Sequence, residues 1–194
     1  MDIILVAGAM ILKKWLIILK VSCANWMKTS QLHVKYIQIE RKQVMGFDLS
    51  GLNPNTTRPE PELPPFPERT SEHWDIYNEW QEENCGVYFR NNVWGWRPLW
   101  HFVTAVCNNI LTDKDIEAGC FNDGHKISKT KADRIAKKLY NLIEKGDVEA
   151  YESAYKRNLA SLEDDDWNKE YPFSEDNVRQ FANFCANSGG FRIC

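Results

Sequence analysis

His101, Asp123 and His125 are the residues of this chain best suited to acid–base or metal chemistry. Asp123 and His125 flank Gly124 in the segment FNDGH, and His101 precedes them in the chain. Imidazole and carboxylate groups bind metal ions and transfer protons near neutral pH. The same segment is also typical of a glycine-centred turn before a capped helix, with Asp123 closing an Asx turn. We favour the turn, and we expect no metal ion and no cofactor.

A cysteine nucleophile is a weaker alternative. The thiol of Cys107 or Cys120 could pair with the imidazole of His101 or His125 as nucleophile and base. No nucleophile elbow, phosphate-binding glycine loop or His-Glu-x-x-His zinc motif accompanies them. The chain has six cysteines but no Cys-x-x-Cys pair, so a zinc knuckle is not predicted. These observations lean away from an enzyme without excluding one.

The segment GVYFRNNVWGWRPLW, residues 86–100, concentrates aromatic rings and hydrogen-bond donors. In a binding pocket the indoles would form stacking walls, the guanidiniums would bind a phosphate or carboxylate, and the amides would bind a base. The candidate ligand-binding residues are Arg90, Asn91, Asn92 and Arg97. Alternatively, Trp94, Trp96 and Trp100 pack around the entry to a helix, and the two arginines bind carbonyls or carboxylates of the acidic domain. We favour this packing interpretation, which predicts that Trp96 and Trp100 are buried.

A short strand is predicted at each end of the segment 46–194, and these two strands would help to position the residues above. Phe47 and Leu49 alternate with polar residues near its start, and Phe191 and Ile193 alternate in the same way at its end. Because both pairs show a period of two, we expect the two segments to pair as adjacent strands.

Helical periodicity dominates the chain between these ends. Val87–Phe89 favour a strand, Asn91 and Asn92 favour a turn, and Pro98 suits the first turn of a helix. Besides one or two helical turns at 73–80, the expected helices are 98–111, 129–145 capped by Ser128 and ended by Gly146, 147–162 capped by Asp147, and 175–187 capped by Ser174. These elements predict an α+β fold, mainly α, with about four to five helices and a small antiparallel sheet near the two ends of the domain.

Residues 53–70 hold six of the chain's 8 prolines. Proline lacks a backbone donor and breaks helices, so an irregular or polyproline-like surface loop is expected here. No clear basic flank accompanies the prolines, and a loop is therefore favoured over a proline-rich recognition ligand.

The first 44 residues differ in charge from the remainder. They carry seven Lys and Arg and two Asp and Glu, a net charge of +5, whereas residues 45–194 carry 17 and 25, a net charge of −8. Lys13 and Lys14 interrupt the apolar run 3–19, which is unfavourable for a membrane span. We interpret residues 1–44 as a mis-assigned leader, the alternative being a disordered or amphipathic extension, and a membrane contact is expected only if this segment is genuine. Residues 45–194 are expected to form a single globular domain.

Several motifs follow one another in order from Met45 onward, namely MGFD at 45–48, YFRNNVWGWRPL at 88–99, YPF at 171–173 and SGGFRIC at 188–194. With these motifs the chain resembles an uncharacterised family of small bacterial and bacteriophage proteins. Gly95 stands where an additional Trp is common in that family, and a Cys-rich insertion of some relatives is missing before Tyr171. The resemblance implies Met45 as the natural start and a phage or mobile-element origin, but no particular activity.

Composition favours a small soluble protein of the cytoplasm with reduced thiols. The net charge of −3 and the pI of about 5.8 show no general nucleic-acid footprint, and the basic run 126–138 is more typical of a solvated helix face than of a phosphate-binding segment. We therefore expect a non-enzymatic accessory or interaction protein of phage or mobile-element origin, with a protein partner. The alternatives are a small-ligand-binding protein or enzyme that uses the Arg, Asn and His residues above, and an acidic inhibitor that mimics nucleic acid.

Overall fold

The computed structural model describes residues 46–194, and these residues form one compact unit. The interpretations of residues 1–44 as a mis-assigned leader or an amphipathic extension concern positions outside the described residues. Within 46–194, every helix is too short or too polar to cross a membrane.

A four-stranded antiparallel sheet joins the two ends of the described chain. Its strands, in the spatial order β2-β1-β4-β3, are β1 (Gly46–Gly51), β2 (Tyr88–Asn92), β3 (Lys126–Ser128) and β4 (Gly190–Ile193). In the register of β1 and β4, Leu49 lies opposite Ile193 and Gly51 lies opposite Phe191. The predicted pairing of the two end segments is therefore confirmed, whereas β3 was not predicted.

Six α-helices and one short 3-10 turn, Trp167–Glu170, make up the rest of the regular structure within 46–194. The helices are α1 (Ser71–Glu83), α2 (Val93–Val106), α3 (Asp113–Ala118), α4 (Lys129–Glu144), α5 (Asp147–Ala160) and α6 (Glu175–Asn187). The predicted α+β class with a predominance of helix is confirmed. The short helix α3 was not predicted, and α1 is longer than the one or two turns expected.

The predicted turn at Asn91 and Asn92 and the predicted helix start at Pro98 are both wrong. Strand β2 continues through Asn92, whose side chain accepts a hydrogen bond of 2.8 Å from the backbone N–H of Gly95. This N-cap starts α2 at Val93, so Pro98 is the sixth helical residue and lies inside the helix. The cap and the burial of Pro98 outweigh the hydrogen bond that a proline at this position cannot donate to Trp94.

Two other boundaries differ from the expectation. Helix α2 ends at Val106 rather than Leu111. The N-cap of α5 is Gly146 rather than Asp147, and its φ of 71° is in the left-handed region that glycine adopts without strain. The helices predicted after Ser128 and Ser174 begin where expected, but only the side chain of Ser174 accepts a capping hydrogen bond, from the backbone N–H of Asn177.

The core lies between one face of the sheet and the helices. Alternate strand residues point into it, including Leu49, Phe89 and Phe191, and α6 packs against them through Phe181 and Phe184. The rings of Phe89 and Phe184 have centroids 5.7 Å apart, and those of Phe181 and Phe191 are 5.9 Å apart. This aromatic layer holds the sheet against α6 and leaves the opposite sheet face outside the core.

The proline-rich segment 53–70 forms neither helix nor strand, as predicted, but it is anchored against α1. The indole Nε1 of Trp80 donates to the carbonyl of Arg58 at 3.1 Å, and Nε of Arg69 donates to the carbonyl of Pro64 at 2.9 Å. The segment is therefore a fixed surface loop rather than a free linker.

Candidate functional site

The predicted ligand-binding residues of β2 each contact a different partner. The amide nitrogen of Asn91 donates to the side-chain oxygen of Asn177 at 2.7 Å, and Asn92 caps α2. Arg90 lies on the outer face of the sheet, where its Nε is 3.6 Å from the Asp48 carboxylate and its side chain is 69% exposed. Two of the three side chains therefore position the start of α2, and Arg90 stands apart from them.

Arg97 points from α2 to a residue near the other end of the domain. Its Nη1 donates to the hydroxyl of Tyr171 at 2.8 Å, and its guanidinium carbon is 5.7 Å from the centroid of that ring. The predicted structural hydrogen bond of Arg97 is confirmed, although its acceptor is a phenol rather than a carbonyl or carboxylate. The four predicted ligand residues do not converge on a shared space.

Two of the three tryptophans in this stretch belong to the core. Trp96 and Trp100 are 1% and 3% exposed, and their rings stack with centroids 5.3 Å apart. Their indole nitrogens donate to the carbonyls of Gly119 and Ile116 at 2.8 and 3.1 Å. Their predicted burial is confirmed. Trp94 differs from both, because it remains 36% exposed.

His125 pairs with Asp115 rather than with the other predicted acid–base residues. Its Nε2 lies 3.0 Å from Asp115 Oδ1, while its backbone N–H donates to Asp123 Oδ1 at 3.1 Å. The second contact is the predicted Asx turn, and Asp123 is exposed. His101 lies on α2 and is partly buried. Within 46–194, His, Cys, Asp and Glu side chains form no group of three or more that could hold a metal ion.

The sequence analysis missed Asp115, the carboxylate at the centre of this group of contacts. Its side chain is 5% exposed and accepts hydrogen bonds from the Thr112 backbone and hydroxyl at 2.8 and 2.7 Å, and from Lys131 Nζ. Burial raises the pKa of Asp115, but the hydrogen bonds from Lys131, Thr112 and His125 lower it further than burial raises it, so the net pKa lies well below the usual range. The spacing Thr112-x-x-Asp115 is a variant of the capping-box pattern, which could have identified this residue.

The Asp115 network joins three elements. Thr112 and Asp115 begin α3, His125 directly precedes β3, and Lys131 is in the first turn of α4. A carboxylate that orients an imidazole also occurs in general bases. Here Lys131 and Thr112 bind the same carboxylate, and no described hydroxyl or thiol hydrogen-bonds the ring of His125. These contacts support a structural role for Asp115, which connects α3, the residue before β3 and the first turn of α4.

The predicted cysteine nucleophiles are not activated by their surroundings. Burial raises the pKa of Cys107 to about 12, although Lys138 and Arg134 oppose this shift. Burial also raises the pKa of Cys120, against the opposing charge of Arg97. Because the thiolate is the reactive form, neither thiol gains nucleophilicity at neutral pH.

The exposed aromatic groups next to Arg97 form a surface that we call the tryptophan surface, consisting of Trp94, Arg97, Trp167 and Tyr171. Tyr171 is 8% exposed and is the buried residue of the tryptophan surface. The ring centroid of Trp94 is 4.7 Å from that of Tyr171, and the ring of Trp167 meets Tyr171 edge-on at 5.4 Å. Trp167 is 44% exposed, so both indoles are held in place by Tyr171 while a large part of each faces outward.

Acidic residues surround Trp167 in the sequence. Residues 163–170 contain five Asp and Glu and only Lys169 as a cation, a net charge of −4. Lys169 Nζ lies 2.7 Å from Asp164, and the side chain of Asp166 accepts the backbone N–H of Asn168 at 2.9 Å. These contacts hold the segment in the 3-10 turn that positions Trp167.

A shallow groove with a volume of about 840 Å³ runs along α4. Its cations are Arg134, Lys137 and Lys138, and its anions are Asp133 and Glu144. The mixed charge is consistent with the solvated helix face expected for the basic run 126–138.

Comparisons with known proteins identify no relative, because no protein-family model, no curated protein and no solved structure matches this chain.

Proposed function

We propose that this protein is a non-enzymatic interaction protein of the cytoplasm, and that it binds a basic protein partner through the tryptophan surface. The observation that carries the proposal is the pair of exposed indoles, Trp94 and Trp167, both in contact with the ring of the buried Tyr171. The resemblance of the motifs at 45–48, 88–99, 171–173 and 188–194 to those of small bacterial and phage proteins motivates the proposal of an accessory role in a phage or mobile element. The five described cysteines form no disulfide, in keeping with a reducing compartment.

The residue types of this surface are those that dominate binding energy in protein interfaces. Trp, Tyr and Arg are enriched among the residues whose truncation weakens binding most. The tilted contact of Trp94 and the edge-on contact of Trp167 with the ring of Tyr171 restrict the rotamers of both indoles before a partner arrives. Binding therefore loses less side-chain entropy than it would with freely rotating indoles.

The charge around the surface favours a basic partner. The segment 163–170, which carries Trp167, has a net charge of −4, and residues 45–194 have a net charge of −8. Complementary charge accelerates association, and a Lys or Arg of the partner gains further energy over the face of an indole.

The two alternatives differ from this proposal in what they require. An acidic inhibitor that mimics nucleic acid would bind by charge alone, so its affinity would fall steeply with salt. A small-ligand site or active site would need Arg90, Asn91 and Arg97 to face one ligand, whereas their side chains contact Asp48, Asn177 and Tyr171. The exposed indoles favour a partner that also buries apolar surface.

The proposal can be tested with the full chain and two fluorescein-labelled peptides, one rich in arginine and one rich in glutamate. Fluorescence anisotropy should show saturable binding of the arginine-rich peptide only. Trp94→Ala and Trp167→Ala should each weaken that binding by about tenfold, equivalent to about 1.4 kcal/mol. Trp74→Ala is the matched control, because Trp74 is also an exposed indole, 38% accessible, but lies on α1.

Three results would contradict the proposal. The first is binding of the arginine-rich peptide that does not saturate, and the second is equal binding of both peptides. The third is a loss of binding in Trp74→Ala as large as in the other two variants. A dissociation constant that depends on salt but not on Trp94 or Trp167 would instead support the charge-mimicry alternative.

A further inference from the structure

The sheet face that points away from the helices carries polar side chains. We call it the outer sheet face and define it by the alternate strand residues that do not enter the core. Besides Gly46 and Asn92 at its edge, they are Asp48, Ser50, Tyr88, Arg90, Lys126, Ser128 and Arg192. Their core-facing neighbours, including Leu49, Phe89, Ile127 and Phe191, are buried.

Four of these residues form one row across all four strands. Tyr88 lies opposite Ser50, Ser50 opposite Arg192, and Arg192 opposite Lys126. Because neighbouring strands are about 4.8 Å apart, the row extends over about 14 Å. Arg90 lies in the adjacent row opposite Asp48.

The cations of this face are accessible. Lys126 and Arg192 are exposed, and neither forms an ion pair with another residue of the described segment. Arg90 is 69% exposed and meets Asp48 at 3.6 Å, a distance at which an exposed pair contributes little to stability. Tyr88 is half-buried, and its hydroxyl donates to Asp48. The ring of Tyr88 is thereby held on the face beside the small side chain of Ser50.

The charge of the outer sheet face is opposite to that of the domain. Its strand positions contain three cations and one carboxylate, whereas residues 45–194 have a net charge of −8. Asp123, in the loop before β3, is the nearest further acidic side chain in the sequence. A local cluster of cations in an acidic domain favours an anionic ligand at this face.

We propose that the outer sheet face binds single-stranded nucleic acid. Arg90, Lys126 and Arg192 contact phosphates, and an unpaired base stacks on the ring of Tyr88. Four-stranded sheets that bind RNA in this way stack about two or three bases. The aromatic ring among the cations favours a single strand over an acidic protein, because an unpaired base supplies both a phosphate and a face for stacking. This site shares no residue with the tryptophan surface and is independent of the proposed function.

The test measures binding of a fluorescein-labelled oligothymidylate of about fifteen nucleotides to the full chain, by anisotropy at several salt concentrations. The double variant Lys126→Ala/Arg192→Ala should weaken binding by about tenfold or more. If both side chains contact phosphates, the slope of log affinity against log salt should become shallower by about 1.4, at about 0.7 for each phosphate contact.

Two further variants separate stacking from charge. Tyr88→Leu removes the ring and should weaken binding by about tenfold, whereas Tyr88→Phe keeps the ring and should retain most of the affinity. The matched charge control is Lys137→Ala/Lys138→Ala, which also removes two cations but from the groove along α4. That control should bind the oligonucleotide within about twofold of the unmodified chain, apart from a small effect of net charge.

Several outcomes would overturn the inference. Failure of the oligonucleotide to saturate the unmodified chain would exclude the site. An equal loss in the α4 control would place binding on the groove, and equal affinity for a DNA duplex or a glutamate-rich peptide would exclude recognition of unpaired bases. Thermal melts of the two lysine-containing double variants should match that of the unmodified chain, because the substituted lysines and Arg192 are exposed.

Discussion

The Nη1 atom of Arg97 lies 2.8 Å from the hydroxyl oxygen of Tyr171, and the guanidinium lies over the same ring. This contact joins α2 to the segment before α6. It also fixes the position of the Tyr171 ring, which both Trp94 and Trp167 contact. Burial raises the pKa of Tyr171, and the nearby charge of Arg97 lowers it by less, so the phenol stays neutral at physiological pH.

Arg97→Ala should lower the free energy of unfolding by about 1–3 kcal/mol, because it leaves a largely buried phenol without its partner. Tyr171→Phe should cost less, and in the double variant the two losses should be non-additive. Urea denaturation of the four proteins measures this coupling. Arg179→Ala is the control, since its ion pair with Glu175 is surface-exposed and should contribute at most about 0.5 kcal/mol. Strictly additive losses would argue against a direct interaction.

Trp96→Ala should destabilise the protein by about 3–5 kcal/mol, because a large buried ring and its hydrogen bond to Gly119 are both lost. Trp94→Ala should cause a clearly smaller loss, since Trp94 keeps part of its ring in solvent. Thermal melts of both variants compare the core and surface roles directly. Equal melting temperatures for the two would contradict the assignment.

Asp115→Asn should lower stability at neutral pH by about 1–3 kcal/mol, because Lys131, Thr112 and His125 lose a charged acceptor. The folded-state pKa of Asp115 is depressed, so its stabilising contribution is present above the unfolded pKa of about 3.9 and is lost as the pH falls below it.

The difference in unfolding free energy between the unmodified chain and Asp115→Asn should therefore narrow as the pH falls from about 4 to 2. Asp133→Asn is the control, because the ion pair of Asp133 with Lys129 is exposed. A constant difference between the unmodified chain and Asp115→Asn across the pH range would contradict the depressed pKa.

Gly119→Ala should destabilise by about 1–3 kcal/mol, because the added methyl group would overlap the indole of Trp100 in a packed interior. Gly46→Ala is the matched control. A Cβ at Gly46 meets its nearest atom, Nε of Arg90, at 3.5 Å, an ordinary contact. Denaturant midpoints should fall for the first variant and stay nearly unchanged for the second. A tolerated alanine at position 119 would show that Trp100 repacks.

Phe191→Ala should cost about 3–5 kcal/mol, because Phe191 is fully buried between the sheet and the aromatic rings of α6. Arg192→Ala, at the next position on the exposed face, should change stability by about 0.5 kcal/mol at most. Chemical denaturation of the pair tests the alternation along β4. Similar losses at both positions would mean that the outer sheet face is packed against another part of the molecule.

The local patterns of the sequence predicted the elements whose signals agree with one another. Helix α4 follows Ser128 and α6 follows Ser174, because in both cases an N-cap residue precedes a regular apolar stripe. The two end strands were predicted from the alternation of apolar and polar residues, and they pair with each other in the sheet. Periodicity depends on the nearest neighbours in the chain, so it can be identified without a structure.

Short elements and conflicting signals depended on tertiary contacts. Strand β3 has three residues and α3 has six, too few for a period to be recognised, and β3 forms because β4 supplies its hydrogen bonds. At the start of α2, the sequence indicated a turn at Asn91 and Asn92 and a helix start at Pro98. The cap at Asn92 and the burial of Pro98 instead start the helix at Val93.

The candidate sites were the least predictable part, because their residues are distant in the chain. Arg97 and Tyr171 are 74 positions apart, and the cations of the outer sheet face come from β2, β3 and β4. By itself, the sequence determined the fold class, the pairing of the ends and the burial of Trp96 and Trp100. The partners of Arg97 and His125, and the local excess of cations on one sheet face, were decided by the tertiary structure, because pairing and burial depend on distances in space that no local pattern encodes.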